Sequence, residues 1–125
     1  MPPRVLIADD DPMFVELLSS RLEGDGFEVV VAYDNVQALN LAMRLRPDVI
    51  LLDIKMPGGS GVDTLKRLKK SSLTHGIPVV VASAQTDPSL PQDLCALGAA
   101  GYLQKPVSYD LVRECLGRHA HNAAA

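Results

Sequence analysis

Short apolar segments of the sequence end in side chains that could carry out chemistry. A run of four apolar residues leads directly into Asp53, and an earlier apolar run ends in Asp9 and Asp10. Two later runs end near Ser83 and Lys105. A continuous apolar run is typical of a strand that is covered on both faces of a parallel sheet, so an ionised carboxylate fits only at its end. We therefore expect these side chains to meet at the edge of a sheet where its strands end.

Gathering carboxylates at one edge has chemical consequences. They repel one another, and a hard divalent cation such as Mg²⁺, which prefers oxygen ligands, would relieve the repulsion. Lys105 adds a compact positive charge suited to a phosphoryl oxygen, and Ser83 can donate a hydrogen bond to another. Because an aspartate can accept a phosphoryl group covalently, we predict that Asp53 attacks phosphorus while Mg²⁺ and Lys105 neutralise charge on the transferring group. Each residue alone also fits an ordinary helix cap or turn, so the prediction depends on their shared edge and order.

The elements that must position these residues alternate between strand and helix. Apolar runs predict strands at residues 4–8, 28–32, 49–53, 78–82 and 101–104. Between them apolar residues recur at helical spacing, and helix caps are predicted at Asp11, at Asp34 or Asn35, at Ser89 and at Ser108. Five strands alternating with five helices predict an α/β fold, a doubly wound parallel sheet with helices on both of its faces.

Local details of the helices are predicted by the same patterns. Ser89 and Gln92 fit a capping box at the start of the fourth helix. Cys95 and Cys115 fall on apolar stripes, so both are expected to be buried free thiols. Leu111 is expected to face inward on the fifth helix. The basic residues of the third helix are expected to face the solvent: Lys66, Arg67, Lys69 and Lys70.

Length and composition restrict the class of protein. A chain of 125 residues is most simply one domain, which we place at residues 1–121, with residues 122–125 as an unstructured tail that is a cloning remnant or the start of a linker. The net charge of −3 provides no electrostatic footprint for nucleic acid or an anionic membrane. No apolar run approaches the ~18 residues that span a bilayer. The cysteine pattern suits a reducing cytoplasm, where we expect the protein to lie.

The motifs taken together resemble the receiver domain of bacterial two-component response regulators, over roughly residues 4–118. The matching segments are VLIADDDP at 5–12, LLDIKMP at 51–57 with Gly61, SA at 83–84 and GYLQKP at 101–106. Their order and spacing fit the family throughout. The resemblance implies a flavodoxin-like (βα)5 sheet with strand order 2-1-3-4-5. It also implies a phosphorylation-activated switch of a phosphorelay, which helps catalyse its own phosphorylation and hydrolysis but is not a conventional enzyme.

The resemblance also assigns roles to residues at the strand ends. It implies that Asp53 is the phosphoacceptor for the phosphohistidine of a sensor histidine kinase or of a histidine phosphotransfer protein. Asp10, Asp53 and the backbone carbonyl of Lys55 would hold Mg²⁺ directly, whereas Asp9 would act mainly through water. Lys105 would contact the phosphoryl group.

A second group of residues would convert phosphorylation into a structural change. By resemblance, Ser83 is the switch hydroxyl, Ala84 lies beside it at the phosphoryl group, and Tyr102 is the aromatic that follows Ser83 inward. The peptide bond before Pro106 is usually cis in the family. The change would appear on the face made by the fourth helix, fifth strand and fifth helix, where an effector or a second copy could bind.

Three alternatives stay open at the level of sequence. One is a pseudo-receiver that binds its partner without phosphorylation. Another is a phosphatase similar to the haloacid dehalogenases, with Asp9 and Asp11 as its acidic pair, although Pro12 departs from that pattern. A flavodoxin-like flavin carrier shares the fold class but needs a phosphate-cradling loop after strand one that is not recognisable here. The sequence leaves open the kinase, the signal, the output, and whether the domain stands alone or forms part of a longer protein.

Overall fold

A computed structural model describes the backbone of residues 2–124 and the side chains of residues 2–120. Strands and helices alternate along the chain as the sequence predicts. The elements are β1 (Arg4–Ala8), α1 (Pro12–Gly24), β2 (Glu28–Ala32), α2 (Asn35–Leu45), β3 (Val49–Asp53), α3 (Gly61–Lys70), β4 (Val79–Ser83), α4 (Leu90–Ala96), β5 (Gly101–Gln104) and α5 (Tyr109–Ala124).

The five strands form one parallel sheet in the order β2-β1-β3-β4-β5. The predicted α/β class and strand order are therefore confirmed. Every residue of β3 is buried, as expected for a central strand with helices on both faces. Leu52 packs with α2, α3 and α4 on one face, and Leu51 packs with α1 and α5 on the other. Burying each such leucine contributes about 1.5–3 kcal/mol to stability.

The first two helices begin where short acidic side chains satisfy their free amide groups. Asp11 Oδ1 accepts hydrogen bonds from the amides of Met13 (3.1 Å) and Phe14 (3.4 Å), with Pro12 in the first turn. For α2 the sequence predicted either Asp34 or Asn35 as the cap. In the structure the cap is Asp34, whose Oδ1 accepts a hydrogen bond from the Gln37 amide at 2.8 Å. These caps fix where the chain leaves the site edge of the sheet.

The loop between β3 and α3 depends on glycine. Gly58 and Gly59 have φ values of 85° and 114°, in the left-handed region that favours glycine. At Gly61 a β-carbon would lie 2.4 Å from the carbonyl oxygen of Ile54, so a side chain there would collide with the backbone. The loop therefore turns tightly against the end of β3, beside Asp53.

The predictions for α4 were wrong in two details. The expected capping box is absent: the Ser89 hydroxyl donates to Asp87 Oδ1 at 2.8 Å and caps no amide. The neighbouring carboxylate competes successfully for this hydroxyl because it lies only two residues away. Cys95 is exposed, not buried. The helix has only seven residues and buries one of them, Leu94, so its buried stripe is narrower than the sequence suggested.

The third and fifth helices also differ from the prediction, each at one residue. Cys115 is buried as predicted, together with Val112 and Leu116, but Leu111 lies at the edge of this buried side and is 49% exposed. Lys69 is only partly exposed: its ammonium donates to the carbonyls of Ile77 (2.6 Å) and His75 (3.2 Å), and burial lowers its pKa. These carbonyls lie in the turn before β4, a contact between segments that the helical pattern of α3 does not encode.

Helix α5 extends to Ala124, through three of the four residues assigned to an unstructured tail. Alanine has the highest intrinsic helix propensity, which favours continuation of the helix through this segment. The domain boundary at residue 121 stays a prediction. Among residues 2–124, none of the helices is long and apolar enough to cross a membrane.

Candidate functional site

The side chains predicted to converge lie together at the carboxyl edge of the sheet. β1 and β3 are neighbours, and their register places Ala8 beside Leu52, so Asp9 and Asp53 leave the sheet at the same level. Ser83 ends β4, on the other side of β3. Lys105 follows β5, and its ammonium reaches across to the acidic residues.

Three carboxylates form the centre of the site. One carboxylate oxygen from each of Asp9, Asp10 and Asp53 lies within 4.8 Å of the other two. Asp9 and Asp53 are buried, whereas Asp10 is exposed and keeps the cluster open to solvent. A set of hard oxygen ligands with one open side fits the coordination preference of Mg²⁺.

The pKa of Asp53 is raised above its ordinary value. Burial is the largest cause, followed by the negative charge of Asp9. The ammonium of Lys105 and the amide of Lys55, which donates to Asp53 Oδ1 at 3.2 Å, act in the opposite direction. Asp10 adds a smaller repulsion. The fold therefore holds Asp53 where its charged form is unfavourable until positive charge is supplied.

Lys105 supplies part of that charge, although it lies nearer to Asp9 than to Asp53. Its nitrogen is 2.6 Å from Asp9 Oδ2 and 3.6 Å from Asp53 Oδ2, and its side chain is 20% exposed. The ring of Phe14 covers another side of the ammonium. The Lys105–Pro106 peptide bond is cis, as the resemblance implies.

A cavity of about 230 Å³ opens between the acceptor and the lysine. Its lining residues are Asp53, Lys55, Ser83, Ala84, Gln85 and Lys105. The Ser83 hydroxyl is buried and accepts a hydrogen bond from the Gln85 amide at 3.0 Å. The Tyr102 hydroxyl donates to the Gln85 carbonyl at 3.5 Å. The backbone of Gln85 thus lies between the two predicted switch residues.

Comparison with known proteins identifies the family. The profile described as "Response regulator receiver domain" matches residues 5–116. The chain belongs to this family. It is therefore a receiver domain of a response regulator, a module of two-component signalling, and receiver domains of this kind act as signalling switches.

Individual relatives agree with this assignment. The receiver is 40% identical over 106 residues to the DNA-binding response regulator MtrA of Mycolicibacterium smegmatis, covering 85% of this chain and 45% of MtrA. It is 38% identical over 108 residues to the phosphate regulon transcriptional regulatory protein PhoB of Escherichia coli, covering 86% and 47%. The structure of the chemotaxis response regulator CheY4 of Vibrio cholerae superposes with a TM-score of 0.88 at 31% identity, covering 95% and 99%. The chain thus spans less than half the length of MtrA and PhoB.

Asp11, at the edge of the site, serves as a helix cap. The Asp11 carboxylate caps α1 through the amides of Met13 and Phe14 and is exposed. A phosphatase of the haloacid dehalogenase type would need Asp9 and Asp11 to act together on one substrate. Their different orientations in this receiver argue against that alternative.

A buried polar pair that the sequence pattern does not predict supports the loop after β3. Asn35 is 3% exposed and Thr64 is 5% exposed. The Thr64 hydroxyl donates to Asn35 Oδ1 at 2.7 Å. The Asn35 amide group in turn donates to three loop carbonyls, those of Met56 (3.1 Å), Pro57 (3.3 Å) and Gly59 (3.0 Å). The sequence pattern singled out Asn35 only as one of two possible caps of α2. It did not indicate that Asn35 binds the loop after β3.

Proposed function

We propose that this receiver is a phosphorylation-controlled switch in which Asp53 accepts a phosphoryl group. The donor would be the phosphohistidine of a sensor histidine kinase or of a histidine phosphotransfer protein. The observation that carries the proposal is the combination at one sheet edge of a carboxylate with a raised pKa, two further carboxylates and a lysine ammonium 3.6 Å from the acceptor. This combination suits the transfer of an anionic group onto a carboxylate.

Mg²⁺ is the cofactor that the donor set fits best. Asp10, Asp53 and the backbone carbonyl of Lys55 would hold it, with Asp9 acting through water. Support comes from the three carboxylate oxygens that converge within 4.8 Å and from the pKa of Asp53, which burial and then the charge of Asp9 raise. When bound, the cation would neutralise negative charge on the carboxylates and on the phosphoryl oxygens.

The chain's own residues would act on the transferred group as follows. An oxygen of Asp53 forms a bond to phosphorus while the bond from phosphorus to the donor's imidazole nitrogen breaks, and that bond's electron pair returns to the imidazole. Lys105 contacts a phosphoryl oxygen as a fixed charge and transfers no proton. Later attack by water on phosphorus restores the Asp53 carboxylate and releases inorganic phosphate.

Phosphorylation would be transmitted through Ser83 and Tyr102. The Ser83 hydroxyl accepts a hydrogen bond from the Gln85 amide, so its own O–H is still able to donate to a phosphoryl oxygen, and moving it toward that oxygen would pull on the Gln85 amide. Tyr102 holds the carbonyl of the same residue. A movement of Ser83 toward Asp53 would therefore disturb the loop after β4 and let Tyr102 move inward. The face made by α4, β5 and α5 would change as a result.

The output of the switch would lie on that face. MtrA is named a DNA-binding response regulator and PhoB a transcriptional regulatory protein, and this receiver spans less than half of each. We propose that an effector module or a second copy of the receiver responds to the changed face, while the receiver itself makes no direct contact with nucleic acid.

The decisive experiment is intact-mass spectrometry after incubation with Mg²⁺ and acetyl phosphate. We expect one phosphoryl adduct on the wild-type protein, none when Mg²⁺ is chelated, and none on Asp53→Asn, which lacks the attacking oxygen. Asp63→Asn is a matched control, since Asp63 is an exposed aspartate of α3 outside the site.

Two results would contradict the proposal. A folded wild-type protein without an adduct would favour a pseudo-receiver that binds its partner regardless of phosphate. Turnover of a phosphate ester that is lost in Asp9→Asn but kept in Asp53→Asn would favour the phosphatase instead.

A further inference from the structure

Lys105 makes a contact that its interaction with the carboxylates does not require. The nitrogen that lies 2.6 Å from Asp9 Oδ2 also lies over the ring of Phe14, 4.6 Å from the ring centroid. This distance is within the ~6 Å over which an ammonium is attracted to the negative face of an aromatic ring. Two carboxylates and a ring therefore surround a side chain that keeps 20% of its surface exposed.

Phe14 reaches Lys105 because of where α1 begins. The cap at Asp11 starts the helix directly after β1, so Phe14 falls in its first turn, at the edge that carries the acidic cluster. Phe14 packs against the core between the sheet and the helices α1 and α5. It also lines a groove of about 180 Å³ with Val107 and Tyr109, which follow Lys105 in the chain. Packing against the core holds one side of the ring in place, whereas the groove leaves another side open.

A lysine at this position benefits from such support. Its four-carbon stem has many rotamers, so directing the ammonium toward the acidic cluster costs conformational entropy. A ring on one side reduces the number of rotamers and excludes water from the nitrogen. Excluding water strengthens the interaction of the ammonium with nearby negative charge.

We propose that Phe14 is a positioning residue for Lys105. Its ring holds the Lys105 ammonium at the acidic cluster, where an incoming phosphoryl oxygen arrives. This role rests on the proposed phosphoryl transfer to Asp53. Phe14 touches no reacting atom and acts only through the lysine. The competing explanation is that Phe14 merely fills space between α1 and the segment after β5, in which case any apolar side chain of similar size would serve.

The contact itself can be tested without phosphorylation. The chain has five lysines, so labelling the lysine ε-carbons with ¹³C gives a simple NMR spectrum, and Lys105→Arg identifies the Lys105 signal. Protons held over a ring are shifted upfield. We expect upfield ε-methylene signals for Lys105 in the wild type and in Phe14→Tyr, and ordinary positions in Phe14→Leu. Equal signals in the wild type and Phe14→Leu would overturn the proposal.

The consequence is tested by the rate of Mg²⁺-dependent adduct formation from acetyl phosphate. Phe14→Leu should slow it by roughly threefold to tenfold, the range that a partly exposed cation–π contact supplies, and Phe14→Tyr should restore it. In a Lys105→Ala background, Phe14→Leu should add little further loss, because the ring acts through the lysine. Met13→Leu is the control, because Met13 is the residue next to Phe14 in the chain and its side chain is 79% exposed. Thermal unfolding verifies that each variant folds.

The two measurements separate failure of this role from failure of the proposed function. Suppose that the wild type forms the adduct and that Phe14→Leu slows adduct formation equally in the wild-type and the Lys105→Ala backgrounds. This result would assign Phe14 to packing alone and overturn the positioning role. Upfield lysine signals without any wild-type adduct would overturn the proposed phosphoryl transfer, and the role of Phe14 in that transfer with it, leaving only the contact.

Discussion

At the scale of single residues, Asp53 is a carboxylate whose charge the fold disfavours. Burial and the charge of Asp9 raise its pKa despite the opposing effect of Lys105. The folded protein therefore holds a proton on Asp53 more tightly than the unfolded chain does. The resulting stabilisation is present below the ordinary pKa of 3.8 and is lost as the pH rises through the raised pKa of the folded state. At neutral pH the charged side chain lowers the stability of the fold.

Replacing Asp53 with asparagine should consequently stabilise the protein at neutral pH without Mg²⁺. We expect the melting temperature to rise by roughly 2–6 °C, which corresponds to about 1 kcal/mol for a domain of this size. The difference should shrink as the pH falls through the raised pKa of the folded state and disappear well below 3.8, where the wild-type carboxyl is protonated in both states. Thermal unfolding followed by circular dichroism measures this effect. A variant that melts lower than the wild type at neutral pH would show that the ion pair with Lys105 outweighs burial.

At the scale of elements, the β3–α3 loop is held by a side chain from a different helix. Asn35, at the start of α2, binds three loop carbonyls and is itself held by Thr64 of α3. The loop includes Lys55, whose carbonyl is a proposed Mg²⁺ ligand. Buried groups in such a network cost free energy when a partner is removed. The position of the loop should therefore depend on Asn35.

We expect Asn35→Ala to lower the free energy of unfolding by about 1–3 kcal/mol, because it leaves the Thr64 hydroxyl and the loop carbonyls without this partner. Asn40→Ala, an exposed position on the same helix, should change stability by less than about 0.5 kcal/mol. Urea unfolding measures both. A double-mutant cycle with Thr64→Val should be non-additive because the two side chains touch. Additive effects would mean that the two residues contribute independently.

Helix α5 is tied to the turn after α1 by a second polar contact. The Tyr109 hydroxyl donates to Asp25 Oδ2 at 2.6 Å, and the Arg21 guanidinium lies 5.0 Å from the centroid of the tyrosine ring. Burial and the hydrogen bond with Asp25 raise the pKa of Tyr109 to about 12. A raised pKa means that the neutral hydroxyl stabilises the fold up to about pH 10 and that this contribution is lost as the pH rises toward about 12.

The wild type should therefore lose more stability than Tyr109→Phe between about pH 9 and pH 12. Urea unfolding at a series of alkaline pH values measures the difference, and the ionisation of lysines affects both proteins alike. The effect should stay below the ~1.4 kcal/mol per pKa unit of a fully buried group, because partial exposure screens the tyrosine from its partners. Parallel curves for the two proteins would show that the hydrogen bond to Asp25 does not contribute.

At the scale of the whole molecule, the acidic cluster links cation binding to folding. The three carboxylates meet only in the folded state, so a cation that binds them stabilises the fold by mass action. Mg²⁺ at 100 times its dissociation constant should add about 2.7 kcal/mol to the free energy of unfolding. Asp10→Asn should remove most of this gain. Asp11→Asn should keep it, because that carboxylate caps α1. Melting curves on titrating Mg²⁺ test the prediction, and curves that do not move would count against the site.

The sequence was sufficient to predict the strands, the order of the elements and the edge at which Asp9, Asp53, Ser83 and Lys105 lie. Apolar runs mark buried strands, and strands connected by helices run parallel, so their carboxyl ends must share an edge. The sequence was insufficient to predict the exposure of Cys95, which is exposed although it occupies an apolar position of α4. Which face of a seven-residue helix is buried depends on how that helix sits on the sheet.

The sequence by itself therefore determined the architecture of this receiver and which side chains share the carboxyl edge of the sheet, because both follow from local hydrophobic patterns and from the rules that connect parallel strands. Only the tertiary structure decided which atoms of the site touch. Lys105 pairs more closely with Asp9 than with Asp53, Phe14 covers its ammonium, and Asn35 holds a loop more than twenty residues away. Such contacts join side chains from elements that are distant in sequence, and their geometry is set by the packing of helices on the sheet, which no local pattern encodes.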